Sequence, residues 1–335
     1  METNVPDRVV AVLEERQRFL LALHVSPDGD SVGSSLGLAL ALQARGKTGV
    51  VAAESSVPQL YQFLPAAEDV RGPEEIEGEE FDAALLIDCG DLHRTGTVEP
   101  VLKKIPLLIN IDHHATNSGY GDIAWIDPDS ASAGEMVYRL LRKLGWPLDA
   151  RVATCLYTAI STDTGSFRYQ GTTAATMRAA ADLIAAGADP FLVGDAVYEH
   201  KSLASQRLLG YVLENMSFGA GGRLAFACLP WSVYEQAGAR EEDGDGIVNE
   251  LRKTEGVEVA LLIHDTAAGA VKVSLRSRAL VDVTRIATRF GGGGHARAAA
   301  CTFEGKTVEQ VREVVIPAVE QEIARQADAG VMPGS

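Results

Sequence analysis

The 335-residue chain is too long for one ordinary core and suits two domains. At 46% hydrophobic and 23% charged, without a long low-complexity tract, its composition excludes a disordered or fibrous protein. Asp and Glu number 46 against 30 Lys and Arg, for a formal net charge of -16, which excludes a broad attraction to duplex DNA or to an anionic membrane.

The first segment, METNVPDRVVAVLEERQRF, is acidic and amphipathic, unlike a secretory signal, and the run LLALHV is too short to span a bilayer. A soluble cytoplasmic protein is the expectation. Phe19 to Val25 predicts a buried strand, SPDGD a turn, and SVGSSLGLALALQARG a helix with small residues on one side. Further strands are predicted near Thr48 to Ala53 and in AALLID and PLLINID, which each end in an aspartate. Helical patterns follow over Ala133 to Leu144, Ala150 to Ile160, Thr173 to Ala186 and Pro190 to Glu199. This alternation predicts an α/β fold with a doubly wound, mostly parallel N-terminal sheet.

The later chain changes texture. RLAFACLP, EVALLIHD and AVKVSLRS read as strands, and GIVNELRKT, DVTRIATRF and TVEQVREVVIPAVEQEIARQ as helices, which together predict a smaller α+β domain. The expected boundaries are 1–199 for the first domain, 200–214 for a connecting helix and 215–335 for the second, with the active site in the cleft between domains. Cys89, Cys155, Cys228 and Cys301 lie far apart, which favours reduced thiols over a disulfide framework or zinc knuckle.

In an open parallel sheet the ligand crevice lies beyond the carboxyl ends of the strands, and four polar motifs fall in such places. HVSPDGD supplies His24, Asp28 and Asp30 around a turn forced by Pro27 and Gly29. LLIDCGDLHRTG supplies Asp88, with Asp91, His93 and Arg94 after it; INIDHHATN supplies Asp112, His113 and His114; ISTDTGSFR supplies Asp163. Imidazoles and carboxylates with no thiolate requirement predict two divalent ions, manganese ahead of magnesium or cobalt. Clustered aspartates also need counter-charge, and a pair of ions points to phosphoester hydrolysis. His93, His200 and His264 lack such partners and read as surface or strand-end residues, Cys89 reads as a packed thiol, and Arg168 as either a substrate contact or a salt-bridge partner.

HVSPDGD, LIDCGD, DHH and TDTGSF, in that order, resemble the four motifs of the DHH phosphoesterase superfamily, and FGGGGHARAAA resembles the glycine-rich motif of its DHHA1 domain. The likeness runs from His24 to Ala300. Length and the TDTGSFR wording are most similar to the branch of bifunctional oligoribonucleases and 3'-phosphoadenosine 5'-phosphate phosphatases. The resemblance implies His24, Asp28 and Asp88 on one ion and Asp30, Asp88, His113 and Asp163 on the other. Asp112 would then fix its neighbours' orientation and His114 would face the scissile phosphate. It implies short RNA oligonucleotides and the bisphosphate as substrates, with cyclic di-AMP or a linear dinucleotide as the alternative, and a homodimer by analogy.

An anionic substrate in so acidic a chain needs local cations. Arg276, Ser277, Arg278, Gly293, Gly294, His295 and Arg297 are the candidates in the second domain, since glycine lets backbone N–H groups approach a phosphate closely. Arg94 ranks above Arg278 for the phosphate beside the ions, because guanidinium pairs with phosphate through two hydrogen bonds. Ala300 stands where the motif carries its last glycine, and alanine would be strained there if the position needs positive φ.

Overall fold

Five short apolar runs of the first part of the chain pair side by side in one sheet. In this computed structural model residues 6–328 are described, with backbone alone at His295, Ala327 and Asp328. The chain divides into two compact units whose sequence boundary falls between His200 and Lys201.

The first unit runs α1 (Asp7–Glu15), β1 (Arg18–Ala22), α2 (Gly29–Ala44), β2 (Thr48–Ala52), β3 (Ala83–Ile87), α3 (Glu99–Leu102), β4 (Leu108–Asp112), β5 (Ile123–Ile126), α4 (Ala133–Leu144), α5 (Ala150–Asp163), α6 (Ala174–Ala185) and α7 (Pro190–Gly194). Its sheet is entirely parallel, in the order β2-β1-β3-β4-β5. Both faces are covered, so β3 reads AALLI with every residue buried, as a parallel central strand must. Strand order reverses between β1 and β3, the place where sheets of this kind open a crevice. The sequence does not announce β5, because only alternate residues of IAWI are buried and the run is four residues long. Pro190–Glu199 is not one α-helix: after α7 the chain widens into a π-helical turn over Asp195–Glu199.

Helix α2 lies hard against α5 through Gly29, Gly33 and Gly37, spaced four apart on one stripe. A Cβ built on Gly33 would sit 2.5 Å from the Cys155 carbonyl oxygen, and one on Gly29 would sit 2.5 Å from the Thr162 side chain. The close approach brings the start of α2, which carries Asp28 and Asp30, beside the end of α5, which carries Asp163. In an exposed helix Gly to Ala stabilises by roughly 1 kcal/mol. Here the added methyl meets backbone, so Gly33→Ala is expected to destabilise by about 1–3 kcal/mol. Urea unfolding measures this, and an unchanged or raised midpoint would refute the close contact.

The second unit runs α8 (Leu203–Glu214), β6 (Ser217–Gly219), β7 (Leu224–Leu229), α9 (Trp231–Ala237), α10 (Ile247–Arg252), β8 (Val259–Asp265), β9 (Val271–Ser277), α11 (Thr284–Arg289), β10 (Gly293–His295), β11 (Ala298–Phe303) and α12 (Val308–Asp328). Its mixed sheet has the order β10-β11-β9-β8-β7-β6, with only β7 and β8 parallel. Leu261, Val273 and Leu275 pack with Val311, Val315 and Val319 of α12. Ala260 and Leu262 pack with Leu208 and Val212 of α8 and with Tyr234 and Leu251. The buried Glu258 accepts the N–H groups of Ala279, Leu280 and Val281 and so shapes the loop after β9. His264, near the end of β8, is buried beside the Tyr234 hydroxyl, and burial lowers its pKa to about 4. Among the described residues no helix is long and apolar enough to cross a membrane.

Candidate metal centre

The four polar motifs converge at the carboxyl ends of β1, β3 and β4. Asp28 caps α2, its Oδ1 accepting from the N–H groups of Asp30 and Ser31 at 3.1 Å each. Asp30 receives a different helix: its two oxygens accept the N–H groups of Ala133 and Gly134 at 2.6 and 2.8 Å, at the start of α4. A carboxylate is favoured at that positive helix end. Gly134 is required there, since its Cβ would lie 2.5 Å from that of Ala159 and 3.2 Å from Asp30 Oδ1. Asp88 follows β3 with φ 58, a left-handed conformation that aspartate tolerates better than most residues but that still costs energy. Gly165, Ser166 and Phe167 also have positive φ, so the chain reverses in a left-handed turn directly after Asp163 and Thr164.

The imidazoles are aimed at these acids. His24 Nδ1 lies 2.9 Å from the Val25 carbonyl and His113 Nδ1 lies 3.3 Å from the Ser130 carbonyl. A ring that donates from Nδ1 carries its lone pair on Nε2, the arrangement by which metal-binding histidines are oriented. His24 Nε2 is 3.8 Å from Asp88 Oδ2, while His113 Nε2 is 3.8 Å from Asp30, 3.5 Å from Asp88 and 3.3 Å from Asp163. His24, Asp28 and Asp88 form one group whose donor atoms lie within 4.8 Å of one another, and Asp30, His113 and Asp163 form a second. Asp88, His113 and His114 form a third, which shares Asp88 with the first and His113 with the second. His114 differs from the other two rings, because its Nδ1 lies 2.7 Å from Asp112 Oδ1.

Electrostatics explain what this cluster lacks. Asp88 Oδ1 is buried and accepts no hydrogen bond among the described residues. Burial pushes Asp30 well above the usual carboxylate range, and the charges of Asp88 and Asp163 add to it. Asp163 is pushed up to about 7, chiefly by burial and by Asp88 against the pull of His113. Burial would raise Asp88 too, but the contacts with His113 and His24 outweigh it and hold this carboxyl far below its ordinary value. His113 is driven the other way: burial opposes its charge, yet Asp88, Asp163 and Asp30 raise it to about 11. Carboxylate oxygens and ring nitrogens gathered within 4.8 Å of one another fit divalent ions with oxygen and nitrogen preferences.

The remaining residues singled out from the sequence fall in several settings. Arg94 is exposed, with Nη2 3.3 Å from His24 Nδ1. Asp112 is fully buried. His93 and His200 are exposed and face Glu99 and Asp195. Cys89 is a buried thiol whose Sγ donates to the Asp91 carbonyl, and Arg168 Nε donates to the Gly165 carbonyl. In the second unit the motif forms the hairpin of β10 and β11. Arg276 and Arg297 are partly buried and donate to the carbonyls of Leu275 and Val281. Ser277 is fully buried and its hydroxyl donates to the Ala296 carbonyl. Gly294 has φ 136 and its Cβ would lie 2.5 Å from the Ala298 carbonyl, so the hairpin itself demands glycine; a Cβ on Gly293 would meet open space. Ala300 lies in β11 opposite Gly293 with ordinary backbone, so alanine is unstrained there. The side chain of His295 is outside the described residues.

Sequence reasoning did not find the amides of Ala133 and Gly134. One signal existed: SAGE, Ser132 to Glu135, has the serine-to-glutamate spacing that starts a helix, and the Ser132 hydroxyl does accept the Glu135 N–H. Nor did it find Asn117, which donates to Asp112, or Asn110 and Tyr120, which bond in a chain with it, although two of the three stand in the stretch INIDHHATN.

Comparison with known proteins adds an independent finding. The description "DHH family, N-terminal domain" matches residues 18–160, and "DHHA1 domain" matches residues 221–324. The chain is similar to the "Bifunctional oligoribonuclease and PAP phosphatase NrnA" of Thermus thermophilus, at 40% identity over 91% of this chain and 90% of that one. A protein of the same name from Bacillus subtilis is 28% identical over 85% of this chain and 89% of its own length. The crystal structure of an exopolyphosphatase-related protein from Bacteroides fragilis superposes with a TM-score of 0.87 at 27% identity, over 95% of each chain.

Proposed function

This chain belongs to the DHH phosphoesterase family and carries its DHHA1 domain, and from that premise we propose that it degrades short RNA oligonucleotides to mononucleotides and converts 3'-phosphoadenosine 5'-phosphate to AMP. It is a hydrolase of phosphoester bonds, and enzymes of this family are metal-dependent. The observation that carries the reading is the pair of acid and imidazole groups at the carboxyl ends of β1, β3 and β4, linked by Asp88 and His113. Two relatives matched along most of their length carry both activities in their names.

In this proposal His24, Asp28 and Asp88 hold one ion, and Asp30, Asp88, His113 and Asp163 the other. Manganese suits a donor set that mixes imidazole with carboxylate. When bound, the ions supply Lewis acidity and acidify water for attack on phosphorus. The chain's own groups do the rest. The α4 amides hold Asp30, the Ser130 carbonyl holds His113, and Asp112 turns His114 so that Nε2 is the atom presented to substrate. There His114 positions the phosphate or passes a proton to the departing oxygen. Arg94 adds the local positive charge that an acidic protein needs beside an anionic ligand. Arg276, Gly293, Gly294, His295 and Arg297 of the second unit contribute substrate contacts in this proposal, and Ser277 acts through the hairpin that it braces.

Product analysis tests the proposal. RNAs of two to five nucleotides, the bisphosphate, cyclic di-AMP and its linear product are each incubated with the protein and Mn²⁺. Mononucleotides and AMP are expected, with cyclic di-AMP the slowest substrate. Faster consumption of the cyclic dinucleotide than of both RNA and bisphosphate would reverse the assignment.

A further inference from the structure

A buried polar cluster stands behind the DHH triplet, and of its members only Asp112 has a role above. Asp112, at the end of β4, presents its two oxygens to different partners. Oδ1 accepts from the N–H groups of His113 at 2.8 Å and His114 at 3.3 Å, and from His114 Nδ1 at 2.7 Å. Oδ2 accepts from Nδ2 of Asn117. That same nitrogen reaches Asn110 Oδ1 at 2.9 Å and the Cys89 carbonyl at 3.3 Å. The Gly119 N–H donates to Asn117 Oδ1 at 2.7 Å, which settles the orientation of the amide. Three side chains in all donate to the Cys89 carbonyl: Asn117, Asn110 at 3.1 Å and the Tyr120 hydroxyl at 2.8 Å. Cys89 directly follows Asp88, whose backbone is left-handed and therefore needs support from its surroundings.

We propose that Asn117 is a positioning residue that clamps two motifs of the site to each other, with Asn110 and Tyr120 completing the clamp. On one side it holds the carboxylate that orients His114. On the other it holds the Cys89–Gly90 peptide, one residue beyond the left-handed Asp88. The proposal rests on the roles given above to Asp88 and His114. Asn117 itself touches neither substrate nor reacting atoms. Its removal leaves a fully buried carboxylate oxygen without its donor, a costly state that rotation of Asp112 would relieve, and His114 would turn with it. The Cys89 peptide would lose a donor at the same time, and the reach of Asp88 would change.

The test compares wild-type protein with Asn117→Ala and Asn117→Gln. Turnover of the bisphosphate with Mn²⁺ gives kcat and KM, calorimetric titration gives Mn²⁺ affinity, and thermal melting establishes that each variant is folded. In both variants kcat is expected to fall about 10- to 100-fold with KM little changed, and Mn²⁺ binding to weaken. A role in stability alone would lower melting without touching either quantity. Glutamine keeps the amide but displaces it by one methylene, so a need for polarity predicts rescue and a clamp predicts none; rescue overturns the proposal. So does a folded variant whose kcat and Mn²⁺ affinity stay within about twofold of wild type. If Asn117→Ala does not fold, the glutamine variant decides. An inactive wild-type protein would count against the proposed function, while calorimetry would still read the clamp.

Discussion

Asp88→Asn is expected to lower turnover of RNA and bisphosphate together by about a thousandfold or more, because in the proposed centre this carboxylate would serve both ions and contribute several kcal/mol to the transition state. Asparagine is the informative replacement. It matches aspartate in size and tolerates positive φ, whereas alanine at φ 58 would add a backbone penalty to the lost charge. Asp88 lies buried near Asp28, Asp30 and Asp163, each of which it pushes upward, but its contacts with His113 and His24 outweigh that repulsion and hold its own carboxyl far below the ordinary value. At neutral pH the ionised carboxylate therefore stabilises the fold, and the unfolding midpoint of metal-free Asp88→Asn should fall while the protein stays folded at the assay temperature, which thermal melting checks beside the collapse in steady-state rate. Activity within about tenfold of wild type would remove Asp88 from the centre of the proposal.

Removal of divalent ions is expected to abolish activity completely and reversibly, with Mn²⁺ restoring it. The same acids predict a second readout that needs no substrate. Ions that bind only the folded cluster stabilise it by mass action, about 2.7 kcal/mol at a hundredfold excess over the dissociation constant. For a unit of some two hundred residues that corresponds to an upward shift in melting temperature of about 5–10 °C. A chelated sample titrated with Mn²⁺ in a thermal scan measures it. Loss of activity on chelation with no shift on adding Mn²⁺ would mean that the required ion binds elsewhere.

Much of the site was legible because its information is local. His24, Asp88 and Asp112 each follow an apolar run, and that pattern needs no tertiary knowledge to read. The parallel sheet was legible for the same reason, through runs buried on both faces. What escaped was set by distance along the chain. The bond from Ala133 to Asp30 spans 103 positions, so the sequence shows both partners without showing that they meet. Asn117 is close in sequence to Asp112 yet has no pattern of its own, since a lone asparagine after a strand reads as a turn residue. The glycine run was legible as close backbone approach. The structure adds that the hairpin itself fills the space at Gly292 and Gly294, where a Cβ would collide with the carbonyls of Ala300 and Ala298.

The strand order carries one more consequence. β1, β3 and β4 are consecutive neighbours in the sheet, and His24, Asp88 and His113 each follow within two residues of a strand end. Adjacent strands stand about 4.8 Å apart, a repeat fixed by backbone hydrogen bonds and insensitive to side-chain identity. His24, Asp88 and His113 therefore inherit their lateral spacing from a ruler made of peptide bonds. Surrounding loops can diverge freely to suit different phosphoesters while the gauge of the centre stays the same.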